Sequence, residues 1–313
     1  MFTTVRACRA AAAARMSAAA RVQSGRRGTP TSASTSDALR RLLSEAQWEL
    51  IPLKNLTEQL PHLPANAPVS VTASASKTLE DTLDLTAQLC TLGHRPVPHI
   101  AARMVRSRGH LEEMLGRLAD LGLNEIFLVG GDVMSPAGPF DSAVALLETL
   151  VDVDHSLTHI GVTAYPEGHA LIADDVLHDA LHTKQAILRS AGIEGHASTQ
   201  MCFHGRSITD WLAAERQSGL MLPVHLGIPG AVEPARLVRI GTRLGIGASL
   251  RYLRKNRGAV ARLLRPGGYD PSALLNKLAA EADRLNIAGL HVFTFNAIES
   301  TMAWRDAAIS QLR

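Results

Sequence analysis

Apolar and polar positions along this chain alternate between two periods. Short β-rich runs, with every second residue apolar or the whole run apolar, fall at 48–52, 69–73, 96–101, 125–130, 158–164, 197–203, 224–229 and 290–295. Between them lie windows whose apolar residues return every three to four positions, at 79–92, 110–121, 142–151, 173–190, 208–217, 234–243 and 271–284. Leu111, Met114, Leu115, Leu118 and Leu121 show the helical spacing. Asp37 serves as N-cap of a further short helix running through Leu43. Strand and helix in regular alternation are the mark of parallel βα units. Eight of them within residues 37–313 predict a single α/β domain, a (β/α)8 TIM barrel. A doubly wound sheet is the alternative, weakened because no G-x-G-x-x-G follows the first strand. Residues 245–270 read as an insertion before the last unit, with a basic helix at 249–257 and a turn at Pro266-Gly267-Gly268.

Composition adds exclusions. With 46% hydrophobic and 19% charged residues the chain is an ordinary globular one, and its 4% aromatic content argues against a stacking surface for single-stranded nucleic acid. The formal charge of +3 is unevenly spread: residues 1–36 hold six Arg, no Lys and no acid, so the remainder carries 3 − 6 = −3. The folded body therefore offers no support for a basic nucleic-acid-binding face. No apolar run reaches membrane-spanning length. Residues 1–36, rich in Ala, Arg, Ser and Thr, predict a disordered or targeting tail. Two origins fit it: a mitochondrial transit peptide, or an upstream start codon with Met16 or a later codon as the true start. The expected location is cytoplasmic, with the mitochondrial matrix as the alternative if the tail directs import. The three cysteines have no metal-like or redox-like spacing, so no structural disulfide is expected. His178 and His182 stand four apart on a helical window, but no third ligand is apparent in the sequence, and no metal site is expected.

Barrel enzymes act at the C-terminal ends of their strands, which directs attention to those positions. Glu49 sits in an apolar first strand, Trp48-Glu49-Leu50-Ile51-Pro52. Pointing inward it would be desolvated, its pKa raised, and suited to donate a proton; the competing reading is a solvated residue at the strand start. Thr72 ends the second strand and His99 the third. The fourth ends in Val129-Gly130-Gly131-Asp132, where glycines permit close backbone approach and a carboxylate follows at the rim. The fifth stops at Ala164-Tyr165-Pro166-Glu167-Gly168-His169, because Pro166 cannot donate to a ladder and Gly168 frees the turn. The sixth ends in Thr199-Gln200-Met201-Cys202-Phe203.

In order and spacing these strand ends resemble the methylenetetrahydrofolate reductase family, over roughly residues 47–297. Trp48-Glu49-Leu50-Ile51-Pro52 is similar to the family's first-strand Phe-Glu-Phe-Phe-Pro, and Pro98-His99 to its third strand. Gly131-Asp132 stands where the family has Arg-Gly-Asp, residues 164–169 where it has Ala-Tyr-Pro-Glu-x-His, and Thr199-Gln200 where it has Thr-Gln followed by aromatics. The resemblance implies a flavoprotein in which FAD takes hydride from NAD(P)H and passes it by a ping-pong mechanism to methylenetetrahydrofolate, giving methyltetrahydrofolate. It implies Glu49 as general acid and Asp132 as the charge beside flavin and pterin. It further implies folate contacts at Gln200 and Phe203, and FAD contacts at Thr72, His99, Gly131, Asp132, Tyr165 and His169. Asp179, His182 and Lys184 fall on the helix that in the family meets the nucleotide end of FAD, where a lysine would neutralise diphosphate.

Departures accompany the matches: Gly130 replaces the family's arginine, and Met201-Cys202-Phe203 is less aromatic than the family's run. Gly227-Ile228-Pro229-Gly230 matches the seventh-strand motif only in part, and the late loop reads Gly245-Ile246-Gly247-Ala248-Ser249-Leu250. Two alternatives stay open: a related folate oxidoreductase running toward methyltetrahydrofolate oxidation, and a partner-dependent folate-binding barrel without its own NAD(P)H activity. A barrel aldolase ranks below them, since no strand-end lysine is placed as a Schiff base. The expected partners are folate and a nicotinamide nucleotide, with no nucleic acid and no membrane; a homo-oligomer is compatible with the sequence.

Overall fold

The computed structural model describes residues 35–53, 56–169, 171–233 and 270–312. Eight strands pair in sequence order, each parallel to the next: β1 (Gln47–Leu50), β2 (Pro68–Val71), β3 (Arg95–Ala101), β4 (Glu125–Val129), β5 (His159–Ala164), β6 (Glu194–Thr199), β7 (Val224–Pro229) and β8 (Ile287–Phe293). The pairing of β8 with β1, with Gln47 opposite His291 and Glu49 opposite Phe293, closes the barrel. The described helices are α1 (Thr35–Ser44), α2 (Leu79–Thr91), α3 (Arg108–Asp120), α4 (Ala143–Leu150), α5 (Asp174–Ser190), α6 (Gly205–Gln217), α7 (Ser272–Ala279) and α8 (Ile298–Ser310). The (β/α)8 reading of the sequence is thus the observed fold.

Local chemistry starts the helices where the strands release the chain. Thr78 and Asp81 form a reciprocal capping box at α2, and the Ser107 and Ser142 hydroxyls accept the His110 and Ala145 amides at α3 and α4. Each such cap is worth about 1 kcal/mol and sets the entry angle of its helix. One parity of each strand faces outward: Trp48, Leu50, Val69, Ile126, Val162 and Leu226 are buried against the helix layer. On α3, Leu111, Met114, Leu115 and Leu118 form the buried stripe anticipated from their spacing.

Several boundaries differ from expectation. β6 begins at Glu194 and ends at Thr199, earlier than the run at 197–203; Met201, Cys202 and Phe203 are buried loop residues, and a buried apolar loop carries the same pattern as a strand. β8 begins at Ile287 and stops at Phe293, because Phe295 and Asn296 adopt left-handed backbone at φ 50° and 55°. α1 begins at Thr35, so Asp37 lies in its first turn rather than at its cap. α8 matches none of the anticipated windows. The expected helix at 234–243, the basic helix at 249–257, the turn at 266–268 and tail residues 1–34 lie outside the described residues. Cys90, on the buried face of α2, and Cys202 are both buried, and Cys8 lies outside the described residues.

Candidate active site

The inward parity of the strands sets this barrel apart. TIM-barrel interiors are ordinarily packed with branched aliphatics. Here His99, Phe127, His196, His225 and His291 fill that space, with ring centroids 4.7 Å apart for His99 and Phe127, 5.9 Å for His99 and His291, and 4.1 Å for stacked His196 and His225. Gly161 makes the room: a Cβ there would lie 2.4 Å from Phe127 Cδ2 and 2.7 Å from His196 Cε1.

At the mouth of this column Glu49 is only 7% exposed and its Oε2 accepts a hydrogen bond of 2.8 Å from His291 Nε2. Burial pushes the Glu49 carboxyl up, but the His291 hydrogen bond and charge, the His99 imidazole and the Thr72 hydroxyl together outweigh it and hold the group below its ordinary value. The raised pKa expected from the sequence is therefore overturned: an inward carboxylate is desolvated, yet here it faces an imidazole donor that no strand-local reading reveals. His99, bonded through Nε2 to the Ser70 hydroxyl, is driven down to about 4 chiefly by burial, so it is neutral at neutral pH. The pair that keeps Glu49 ionised there is the one with His291.

The last strand braces this carboxylate. Thr294 Oγ1 donates to the Glu49 carbonyl at 2.6 Å, and the Asn296 amide pairs with both the N–H and the C=O of Ile51 at 2.9 Å. A side-chain amide thus continues the β1–β8 ladder past Phe293, where left-handed backbone has ended it.

The other strand ends meet around this centre. Gly131 has φ +97° and an added Cβ would sit 3.1 Å from Ala101, so the turn bearing exposed Asp132 needs glycine. Arg103 pins that turn by donating to the Val133 and Met134 carbonyls. The Tyr165 phenol is pushed up by burial and by the Asp132 charge, against a hydrogen bond with Thr163. Tyr165 meets His169 edge to face at 5.3 Å. Glu167 is structural, as its Oε1 accepts both the Phe203 and His204 amides at 2.9 Å and ties the β6 loop to the β5 loop. Gln200 turns its Oε1 onto the Met201 amide, and Phe203 is buried.

A cavity of about 480 Å³ opens beside the β5 loop, lined by Tyr165, His169 and Asp174 with His178 from α5 and His204, Trp211 and Glu215 from or near α6. Of the three α5 residues expected at the nucleotide end of FAD, none lines it. Asp179 is exposed, and His182 bonds Glu215 at 2.8 Å. Lys184 is 4% exposed, donates to the Thr163 carbonyl at 3.1 Å and is lowered by burial to about 8. A lysine spent on a strand carbonyl is not placed to meet a diphosphate. Among the described residues three groups have metal-ligand chemistry within 4.8 Å: Glu49 with His99 and His291, Glu125 with His159 and His196, and Glu215 with His178 and His182. The third overturns the expectation that His178 and His182 lack a further ligand.

Residues 51–240, more than half of the chain, match the methylenetetrahydrofolate reductase family. The chain belongs to that family. Glu49 and His291 lie outside the matched segment, although the strands bearing them close the same barrel. Among solved structures, one similar chain is an uncharacterised protein from Clostridium thermocellum that binds two copies of 5-methyl-5,6,7,8-tetrahydrofolic acid; it is 14% identical with a TM-score of 0.61, covering 88% of this chain and 98% of the other. A candidate lyase/mutase from Burkholderia cenocepacia J2315 is 14% identical, TM-score 0.46, over 86% and 84% of the two chains. At 14% identity the likeness to the Clostridium thermocellum protein is one of fold.

Sequence reasoning misses His291, His196, His225, Thr294 and Asn296. For His225 and His291 a signal exists: each occupies an inward position between aliphatic outward neighbours, Val224 and Leu226 for the first and Leu290 and Val292 for the second. Nothing marks Thr294 or Asn296 until β1 and β8 are known to be neighbours.

Proposed function

We propose that this protein is an FAD-dependent folate oxidoreductase of the methylenetetrahydrofolate reductase type, using NAD(P)H as electron donor. The observation that carries the reading is Glu49, buried at the barrel mouth and hydrogen-bonded to His291, within a chain whose residues 51–240 match that family. Thr72, His99, Gly131, Tyr165 and His169 are the residues that would hold the flavin; the positive-φ Gly131 turn and the neutral His99 fit a planar, uncharged ring system. Bound there, FAD would supply the hydride relay between nicotinamide and folate.

The chain's own contribution is protonic and electrostatic. Glu49 is ionised at rest, so it must take up a proton before it can act as an acid. That proton must come from the open side of the barrel mouth, where Glu49 keeps 7% of its surface, while His291 Nε2 holds the carboxylate in place at 2.8 Å. Glu49 then delivers it to the folate as the one-carbon bridge opens. Asp132, a fixed negative charge at the rim, stabilises the cationic folate that results. Gln200, released from Met201, would offer its amide to the pterin.

The purified protein is expected to be yellow and to release FAD on denaturation. Glu49→Gln should leave anaerobic flavin reduction by NAD(P)H nearly intact and slow reoxidation by methylenetetrahydrofolate at least about a hundredfold; unchanged folate turnover would remove Glu49 from the acid role. A second reading is a folate-binding barrel without its own hydride donation. It is favoured by the burial of Lys184 and by Gly130 in place of the family arginine, together with the methyltetrahydrofolate bound by the Clostridium thermocellum protein. A folded, colourless protein that binds methyltetrahydrofolate and takes up no FAD would establish it.

A further inference from the structure

We infer that α5 and α6 together form a divalent-cation site, best matched to zinc, made by His178, His182 and Glu215. α5 presents the two imidazoles one turn apart on one face, with ring centroids 4.3 Å apart. α6 supplies Glu215, whose Oε2 lies 3.0 Å from His178 Nδ1 and 2.8 Å from His182 Nε2. Tetrahedral zinc with bonds of about 2.0–2.1 Å needs ligand atoms roughly 3.3 Å apart. The two nitrogen–oxygen distances therefore need to lengthen by only about half an ångström or less, within reach of side-chain torsions, and the ligand atoms all lie within 4.8 Å of one another.

The electrostatics favour a cation at this point. Glu215 is 5% exposed, so its carboxylate depends on the charges and protons its neighbours present. With neutral imidazoles it can be satisfied only if His178 carries its proton on Nδ1 and His182 on Nε2, so each ring must adopt one tautomer. One metal ion replaces both protons and brings full positive charge to the carboxylate. Unlike the two clusters inside the barrel, this one is reached from solvent: His178 and His182 side chains are 39% and 21% exposed, and His178 and Glu215 line the 480 Å³ cavity. Asp174 and His204 line the same cavity, so a fourth position can be filled by water or by one of them. Metal here would fasten α5 to α6 beneath the β5 loop.

The test uses the full chain, free of any histidine tag, stripped with chelator and titrated with Zn2+ alone, in the absence of folate and flavin. Its outcome is thus independent of the oxidoreductase reading. One site per chain is expected, with an apparent Kd of about 1 µM or below. His182→Gln and Glu215→Gln should each weaken binding by at least about a hundredfold, and the zinc-induced rise in Tm should vanish with them. Both imidazoles are partly exposed, so His178→Gln serves as a second variant whose metal-free fold can be checked by circular dichroism. No binding by folded wild-type chain would overturn the proposal. So would binding of undiminished strength in all three variants, which would place the metal in one of the barrel triads.

Discussion

Glu49 and Glu215 are both buried carboxylates bonded to imidazoles at 2.8 Å, and they differ in what surrounds the imidazoles. His291 is packed inside the barrel with a side chain 2% exposed, whereas His178 and His182 reach solvent from a helix face. Strands fix the first pair from both sides, since Thr294 and Asn296 hold the backbone around Glu49. Two helices merely face each other across the second. The first arrangement excludes water and tunes protons; the second leaves room for an exchangeable ligand.

Removing each carboxylate should expose that difference. Glu49→Ala strands His291 in the barrel interior without water and should cost about 3–5 kcal/mol, read as a lowered urea midpoint at neutral pH. A loss under about 1 kcal/mol would show that solvent enters the column.

The acid limb of stability comes next in size. His99 drops from 6.5 to about 4 on folding, so below 6.5 the unfolded chain takes up a proton that the folded one refuses, and stability falls as pH is lowered through that window. The loss approaches about 3 kcal/mol once the pH is below the folded value. Glu49 adds to the same limb: its lowered pKa contributes stability that is present above the ordinary carboxylate value and lost as pH falls through its folded one. Urea midpoints of His99→Gln should lose pH dependence over the upper part of the window; an unchanged profile would mean that His99 is solvated.

Gly161→Ala puts a methyl against Phe127 and His196 and should cost about 2 kcal/mol, because close-packed rings cannot both retreat. Thermal melts that match wild type would indicate slack in the column. The smallest effect is expected for Glu215→Ala without metal, about 1 kcal/mol, since His178 and His182 can turn to water. A penalty as large as that of Glu49→Ala would show the two sites to be alike.

Much of the fold is legible in residue order. Alternating and helical periods locate eight strands and the closed domain, because burial on one face imposes those periods directly on the chain. The apolar loop at Met201–Phe203 misleads such a reading, since burial without strand pairing leaves the same mark. Gly130 and Gly131 are legible as a place where backbone can approach closely, but the positive φ that makes Gly131 necessary is seen only in the fold. The pKa direction of Glu49 is not legible, and neither is the partner of His178 and His182.

What residue order settles is local: period, caps, turn residues, and which chemical groups stand at strand ends. Pairings across long separations are decided only in three dimensions. Glu49 meets His291 because barrel closure sets β8 against β1, and Glu215 meets His178 and His182 because α6 follows α5 around the ring. Charge and proton affinity depend on those neighbours through distance and burial, and neither quantity is written in the order of residues.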